Sequence, residues 1–130
     1  VMIEQIPADE IRKHPGGGLA KELYLVHSVP TQGLKAVKEN LESHLHYLQD
    51  LERKGLLFAA GPLFTDNGQN FQGDGLIILN TNSFAEAEKI AAADPLHQSK
   101  ARHYTIQSWL LNEGSLNLKL TFNTREIKLQ

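Results

Sequence analysis

The alternation of helical and strand-like apolar patterns is the feature that most constrains what this chain can fold into. A period of 3.6 residues occurs twice, in Lys35–Lys54 and in the alanine-rich segment after Ser83, and short apolar runs come before, between and after these segments. These strand-like runs are Glu22–Ser28, Leu56–Leu63, Gly75–Thr81 and His103–Leu111. The order strand, helix, strand, strand, helix, strand predicts an α+β protomer of the ferredoxin-like βαββαβ type, in which an antiparallel sheet carries both helices on one face.

Turn and cap residues support these boundaries. Gly55 follows the first helix in the usual helix-stop position. Asn67-Gly68 is typical of a turn, so the second and third strands should form a hairpin with an extended loop. Ser83-Phe84-Ala85-Glu86 matches a capping box at the start of the second helix. That helix cannot run far past Asp94, because Pro95 disfavours helical geometry in the residue before it.

The segments divide the chain into three parts. We predict a loosely held N-terminal arm over residues 1–21, where three consecutive glycines supply no packing, and a folded domain over residues 22–111. Residues 112–130 form an extension with a fifth strand at Leu116–Phe122. The strand Leu76-Ile77-Ile78-Leu79 has apolar side chains on both faces, so the sheet face opposite the helices must also be covered. We therefore expect a homodimer or higher homo-oligomer, a dimeric α/β barrel, with the extension as a candidate for contacting the partner.

Composition excludes several classes of partner. A chain of 130 residues suffices for one domain with one site, and 41% hydrophobic with 22% charged residues is typical of a globular protein. A net charge of −2 without charge blocks argues against nucleic acid and anionic membranes. The chain has no cysteine and no apolar run near the roughly 18 residues that span a bilayer. We expect a cytoplasmic protein that acts on a small molecule.

Two histidines in the first helix point in different directions. At about 100° per residue, His44 lies within about 50° of the middle of the apolar stripe, and His46 lies nearly opposite. The stripe consists of Val37, Leu41, Leu45, Leu48 and Leu51. We expect His44 to point inward and His46 to solvent, so the two cannot chelate one metal ion. A core histidine bonded to a backbone carbonyl stays open as the alternative for His44.

An acidic residue continues the inner face of the second helix. Phe84, Ala87 and Ala91 define that face, and the next turn places Asp94 close to it at the helix's last residue. A buried carboxylate needs a partner, because an unpaired buried charge is very costly. Since both helices lie on one sheet face, we predict a hydrogen bond from His44 to Asp94 that leaves the other ring nitrogen free toward a pocket. A solvated Asp-Pro turn is the alternative for Asp94.

Four further residues are candidates for binding a substrate. His97 follows the second helix and could line the same cavity, although a position on the loop is favoured. Asp74 lies at the mouth of a strand and could meet a polar ligand, although a solvated loop acid is favoured. Gly61 and Pro62 close the second strand and complete this set.

Other chemistry finds little support in the sequence. Tyr104 shares a strand face with Ile106 and is expected in the core or an interface, and His27 could act only on the opposite sheet face. No zinc motif, nucleotide fingerprint or serine nucleophile elbow was found in the sequence. We expect no cofactor and no metal.

Several of these residues together resemble the YCII family, small proteins of the dimeric α/β-barrel superfamily that also contains muconolactone isomerases. The resemblance covers about residues 22–111 and rests on His44-Leu45, Gly55 eleven residues after His44, Ala60-Gly61-Pro62, Ser83-x-x-Glu86-Ala87 and Asp94-Pro95. It implies a ferredoxin-like protomer, a back-to-back dimer or higher assembly, and a His–Asp pair at His44 and Asp94 in a cleft beside the sheet.

The resemblance also bears on activity. Similar members include an enzyme that removes chloride from a chlorinated hydroxyhydroquinone, whereas most members have no established reaction. The family often has a small hydroxyl residue at the position that Asp74 takes here. This difference argues against a substrate shared with those members.

The leading hypothesis is a small cofactor-independent enzyme acting on a small, cyclic or aromatic organic molecule. His44 would transfer a proton as general acid/base and Asp94 would orient it, in an isomerisation, a lyase-type elimination or a dehalogenation. The main alternative is a non-catalytic ligand-binding or assembly module in which the pair is structural. A monooxygenase-like oxidation, cofactor-free or haem-linked, is a third hypothesis.

Overall fold

The computed structural model describes residues 3–14 and 16–130. Val1, Met2 and Pro15, which belong to the predicted N-terminal arm, lie outside the described residues. The chain divides into two units, of which Glu22–Leu110 is the larger, and the second consists of the segments before and after it. The elements in chain order are α1 (Ala8–Arg12), β1 (Lys21–Pro30), α2 (Leu34–Arg53), β2 (Leu57–Pro62), a 3-10 turn (Asp66–Gly68), β3 (Gly75–Leu79), α3 (Phe84–Ala92), α4 (Pro95–Gln98), β4 (Arg102–Leu111), β5 (Leu118–Leu120) and β6 (Ile127–Leu129).

The larger unit has the predicted α+β fold. Its four strands form an antiparallel sheet in the order β2-β3-β1-β4. In the β1/β3 register Tyr24 lies opposite Leu79 and Val26 opposite Ile77, so these side chains share one sheet face. All four belong to the main core cluster, together with Leu51 of α2 and two alanines of α3. This face of the sheet is therefore the one that packs against the helices.

Helix α2 is amphipathic as expected, but its apolar stripe is only partly buried. Val37, His44 and Leu51 are buried, whereas 37% of Leu41 and 48% of Leu45 are exposed. These two leucines of the predicted stripe do not pack in the core, and they lie beside a cavity instead. No helix in the described part of the chain, including this longest one, is long and apolar enough to cross a membrane.

The ends of α2 and α3 follow from local chemistry. Gly55 has a φ of 75°, the left-handed conformation that ends a helix, as predicted. The Ser83 side chain accepts a hydrogen bond from the Glu86 backbone N–H at 3.1 Å and caps α3. Phe84 was expected on the inner face but is half exposed, with its ring edge-to-face against Tyr24.

The β2/β3 hairpin forms with the long loop that the sequence predicted. Pro62 lies opposite Gly75 where the two strands meet the loop. The loop is organised by the turn at Asp66–Gly68, where Asn67 takes a φ of 56°. Two phenylalanines of this loop, Phe64 and Phe71, contact each other edge-to-face with ring centroids 6.3 Å apart.

The smaller unit contains α1 and a two-stranded sheet. The arm predicted as loosely held is bonded near its end, because the backbone N–H groups of Leu19 and Ala20 donate to the backbone and side-chain oxygens of Asn112 at 3.0 Å. The predicted fifth strand is shorter than expected and pairs with β6, a strand that the sequence analysis missed. The homodimer stays a prediction.

Candidate active site

A buried, hydrogen-bonded pair of side chains joins α2 to the start of α4 in the larger unit. His44 projects from the middle of α2 and is 5% exposed, and Asp94 is 2% exposed. The His44 Nδ1 lies 2.9 Å from Oδ1 and 2.8 Å from Oδ2 of Asp94. Because a carboxylate accepts hydrogen bonds, Nδ1–H is the donor and the neutral ring keeps its lone pair on Nε2. The predicted contact is confirmed, and its catalytic role stays a prediction.

Asp94 is held by more than the histidine. Helix α3 ends at Ala92, and Asp94 caps the short helix α4, with Pro95 in its first position. The Asp94 Oδ1 atom accepts a hydrogen bond from the Leu96 backbone N–H at 2.9 Å. The expectation that Asp94 is the last residue of the preceding helix is therefore wrong, and so is the alternative of a solvated side chain.

The charge of Asp94 also acts on the surrounding core. Tyr47 donates its hydroxyl to the Ile90 carbonyl at 2.7 Å. Burial raises the pKa of Tyr47 above its ordinary value, and the negative charges of Asp94 and Asp50 raise it further. Tyr47 is therefore neutral at physiological pH.

An open, mostly apolar cavity of about 470 Å³ lies beside His44. It is lined by Leu41, His44, Leu45, Leu48, Ala60, Gly61, Pro62, Phe64, Phe71, Gly75, Leu76, Ile77 and Arg102. This volume is in the range of small-molecule sites. The predicted candidates Gly61 and Pro62 thus share a cavity with His44, and the two exposed leucines of α2 form part of its wall.

The second nitrogen of His44 is accessible to this cavity. No described residue provides a hydrogen-bond partner for Nε2. In residues 3–14 and 16–130, every fully buried side-chain nitrogen or oxygen has a partner, so an unpartnered atom such as Nε2 cannot be fully buried. Nε2 is therefore in contact with solvent, and His44 lines the cavity. The arrangement has a fixed donor on Nδ1 and an accessible acceptor on Nε2, which can remove a proton from a bound molecule.

Arg102 is a lining residue that the sequence analysis missed. It begins β4 one residue before the predicted start and is only 5% exposed. Its Nε–H donates to the Gly73 carbonyl at 2.7 Å. Burial lowers the pKa of Arg102 below its ordinary value, whereas the charges of Asp94 and Asp74 act in the opposite direction. An arginine nevertheless stays protonated in proteins, so the cavity has one fixed positive charge.

Two predicted candidates lie elsewhere. His97 belongs to α4 rather than to a loop, and its Nδ1 and Nε2 atoms lie 2.6 Å from the Ala91 carbonyl and the Ser28 hydroxyl. Asp74 was expected to be a solvated loop acid, but it is half-buried and lies 3.6 Å from His27. Neither His97 nor Asp74 is among the residues that line the cavity.

Side chains that could bind a metal ion are not clustered in the part of the chain that the structure describes. There, no group of three or more His, Cys, Asp or Glu side chains is placed to hold a metal ion. The outward His46 lies 3.9 Å from Glu42 on the solvent side of α2, as predicted.

Tyr104 is half-buried, with its ring against His97 and its hydroxyl 2.9 Å from Glu88.

Fold and site together define a small ferredoxin-like α+β protein with a buried His–Asp pair at the wall of an open cavity. The YCII-related domain matches residues 23–110 of the sequence. The chain therefore belongs to the YCII family.

Comparisons with individual proteins add a solved structure of similar fold. No curated protein matches the sequence of the chain. The 5-chloro-2-hydroxyhydroquinone dehydrochlorinase of Burkholderia phenoliruptrix AC1100, in complex with 2,5-dihydroxybenzoquinone, is similar in fold with a TM-score of 0.56 and 20% sequence identity. The match covers 67% of this chain and 92% of that chain. At this identity the likeness concerns the fold.

Proposed function

We propose that the protein is a cofactor-independent enzyme in which His44 acts as general acid/base on a small cyclic or aromatic molecule bound in the cavity. The observation that carries the proposal is that His44 is fixed through Nδ1 by a buried carboxylate while its Nε2 is accessible from an open apolar cavity. A purely structural pair would be expected in a sealed core, with neither ring nitrogen accessible.

The chemistry follows from this tautomer. In an isomerisation, Nε2 removes a proton from an acidic C–H or O–H bond and returns it to another atom of the substrate. In an elimination or dehalogenation, Nε2 removes a proton, the electrons of that bond form the new π bond, and the leaving group departs with its own bonding pair. Asp94 stabilises the imidazolium that forms in either case, because its carboxylate faces the Nδ1 proton.

The comparisons support this class of substrate. The solved structure with the similar fold is a dehydrochlorinase and contains 2,5-dihydroxybenzoquinone, a small ring bearing oxygens. A cavity lined by leucines, Phe64, Phe71 and Pro62 provides apolar surface for such a ring.

The test is turnover by the purified chain. Chlorinated hydroxyhydroquinones are assayed for chloride release, and unsaturated lactones are assayed by NMR in deuterated water for double-bond migration. In the His44→Asn variant the rate should fall by about 10²–10⁴-fold, the usual contribution of a general acid/base. His46→Asn is the matched control, because His46 lies on the same helix, two residues away and facing solvent.

Two outcomes would contradict the proposal. One is a His44→Asn variant that turns over substrate like the wild type. The other is the absence of turnover on both substrate classes together with a His44→Asn variant that loses stability but keeps its ligand affinity. The second outcome would favour the non-catalytic module, in which the His–Asp pair is structural.

We also propose that the chain assembles as a homodimer in which residues 112–130 contact the partner. In the β5/β6 hairpin Leu118 lies opposite Leu129 and Leu120 opposite Ile127, whereas Lys119 faces Lys128. One face of the hairpin is therefore apolar, and all four of its apolar side chains are exposed. A two-stranded sheet is marginally stable by itself, so a partner that covers this face would stabilise it.

A further inference from the structure

Arg102 is a buried cation with unused hydrogen-bond donors. Its Nε–H donates to the Gly73 carbonyl. The Nη1 and Nη2 groups have no hydrogen-bond partner among the described residues. Every fully buried side-chain nitrogen in the described residues does have a partner, so the two Nη groups are not fully buried. These groups therefore reach solvent, and Arg102 lines the cavity. The terminal guanidinium nitrogens of a residue that is only 5% exposed thus keep donors available, and the residue lines the same cavity as His44.

A glycine makes room for this arrangement. A Cβ added at Gly75 would lie 2.9 Å from Nη1 and 3.4 Å from both Cζ and Nη2 of Arg102. The guanidinium group therefore lies against the backbone at the start of β3, where Gly75 is paired with Pro62. Both of these residues line the cavity. Any larger side chain at position 75 would therefore force the guanidinium to shift.

The positive charge of Arg102 is not neutralised by a direct ion pair with any described residue. Asp94 and Asp74 both act on Arg102 through their charges, but among the described residues neither forms an ion pair with its guanidinium. Asp94 is instead paired with His44, and Asp74 faces His27. A buried charge without a direct partner is costly, and a bound anion would supply that partner.

We propose that Arg102 forms a carboxylate-binding subsite, so that the substrate is a small cyclic or aromatic carboxylate whose ring lies in the apolar part of the cavity. The two Nη groups present parallel donors that match the two oxygens of a carboxylate. Anchored there, the ring reaches toward Nε2 of His44. Only this last step rests on the proposed function, because carboxylate binding by Arg102 does not require proton transfer by His44.

The test uses benzoate and benzamide, two planar aromatic molecules of equal size that differ in charge. Dissociation constants are measured with the full chain by NMR titration. Benzoate should bind the wild type at least about tenfold more tightly than benzamide, because its hydrogen bonds are charge-assisted. Arg102→Met should abolish this preference by weakening benzoate binding far more than benzamide binding, and Arg102→Lys should retain part of it. A merely structural arginine would affect both probes equally.

A second variant covers the case in which Arg102→Met does not fold. Gly75→Ala keeps every charge but forces the guanidinium to shift, and it should weaken the preference for benzoate. Equal binding of both probes by the wild type, no benzoate binding, or an unchanged preference in the folded variants would overturn the proposal. His44→Asn separates the two proposals, because it should leave benzoate affinity within about threefold of the wild type while turnover falls by about 10²–10⁴-fold.

Discussion

Nδ1 of His44 lies 2.8 and 2.9 Å from the two carboxylate oxygens of Asp94, a residue fifty positions further along the chain. Two local rules produce this contact. The helical period of α2 directs the imidazole toward α4, and the cap position of Asp94 directs its carboxylate back toward the backbone N–H of Leu96. Asp94 therefore has two roles, one in the stability of α4 and one in the orientation of His44. Different substitutions should separate them.

The Asp94→Asn substitution should impair activity while the fold is retained. The amide oxygen can still accept from Leu96, but the negative charge that would stabilise the His44 imidazolium is lost. We expect kcat to fall by between about 10- and 10⁴-fold, with a smaller change in KM. Asp50→Asn is the control, since Asp50 is half-exposed and pairs with Lys54 at 2.7 Å. Equal kcat values for the two variants would contradict an orienting role for Asp94.

The Asp94→Ala substitution should destabilise the protein more than loss of an ordinary helix cap. It removes the acceptor of Leu96 and also leaves the buried Nδ1–H of His44 without a partner. We expect a loss of about 2–4 kcal/mol in the free energy of unfolding, measured by urea denaturation. Ser83→Ala removes only the cap of α3 and should cost about 1 kcal/mol. A loss no larger than that of Ser83→Ala would argue against the coupling of cap and ion pair.

Two leucines on one stripe of α2 should respond differently to truncation. Leu51 is buried in the core cluster, so Leu51→Ala should lower the free energy of unfolding by about 2–5 kcal/mol. Leu45 is 48% exposed and lines the cavity, so Leu45→Ala should cost about 1 kcal/mol but weaken benzoate binding. Thermal or urea unfolding and NMR titration measure the two effects. An equal stability loss would mean that Leu45 is covered in solution.

This difference also marks where prediction from sequence ends. The period of 3.6 residues identifies the apolar side of α2 and places His44 on it, and the same reasoning led to Asp94 on the second helix. A period cannot tell which part of a stripe is covered, because that depends on the elements beneath it. Leu41 and Leu45 lie beside an open cavity and not over the core, and no local pattern in α2 contains this information.

Arg102 was missed in the sequence, and His97 was expected on a loop but lies in α4, for separate reasons. The two-residue alternation that pairs Tyr104 with Ile106 would also have placed Arg102 on the helix side, had β4 been extended by one residue. Its burial depends on Gly73 and Gly75, which are distant in sequence, and so could not be predicted. For His97, Pro95 was interpreted only as the end of a helix, although proline also favours the first position of a new one.

The proposed homodimer predicts that one face of the β5/β6 hairpin is sensitive to charge. Leu118→Lys places a charge on the apolar face and should shift the chain from dimer to monomer, measured by sedimentation velocity. Lys119→Glu is the matched control, because the neighbouring residue projects from the opposite face of the hairpin. A wild type that is monomeric, or a dimer that persists in the Leu118→Lys variant, would contradict the proposed interface.

The bonded environment of His97 predicts a pH dependence of stability. Its Nδ1–H donates to the Ala91 carbonyl and its Nε2 accepts from the Ser28 hydroxyl, which suits the neutral ring. Burial lowers the pKa of His97 below its ordinary 6.5, although the Ala91 hydrogen bond and the charge of Asp94 partly oppose this. As the pH falls, His97 therefore takes up a proton in the unfolded chain before it does so in the folded chain. The contribution of the neutral ring to the free energy of unfolding is complete above about pH 6.5 and is lost below it.

His97→Asn, whose amide can still donate to Ala91, should reduce the loss of unfolding free energy between pH 7 and pH 5, measured by urea denaturation at each pH. An identical slope in the wild type and the variant would show that His97 does not contribute to it.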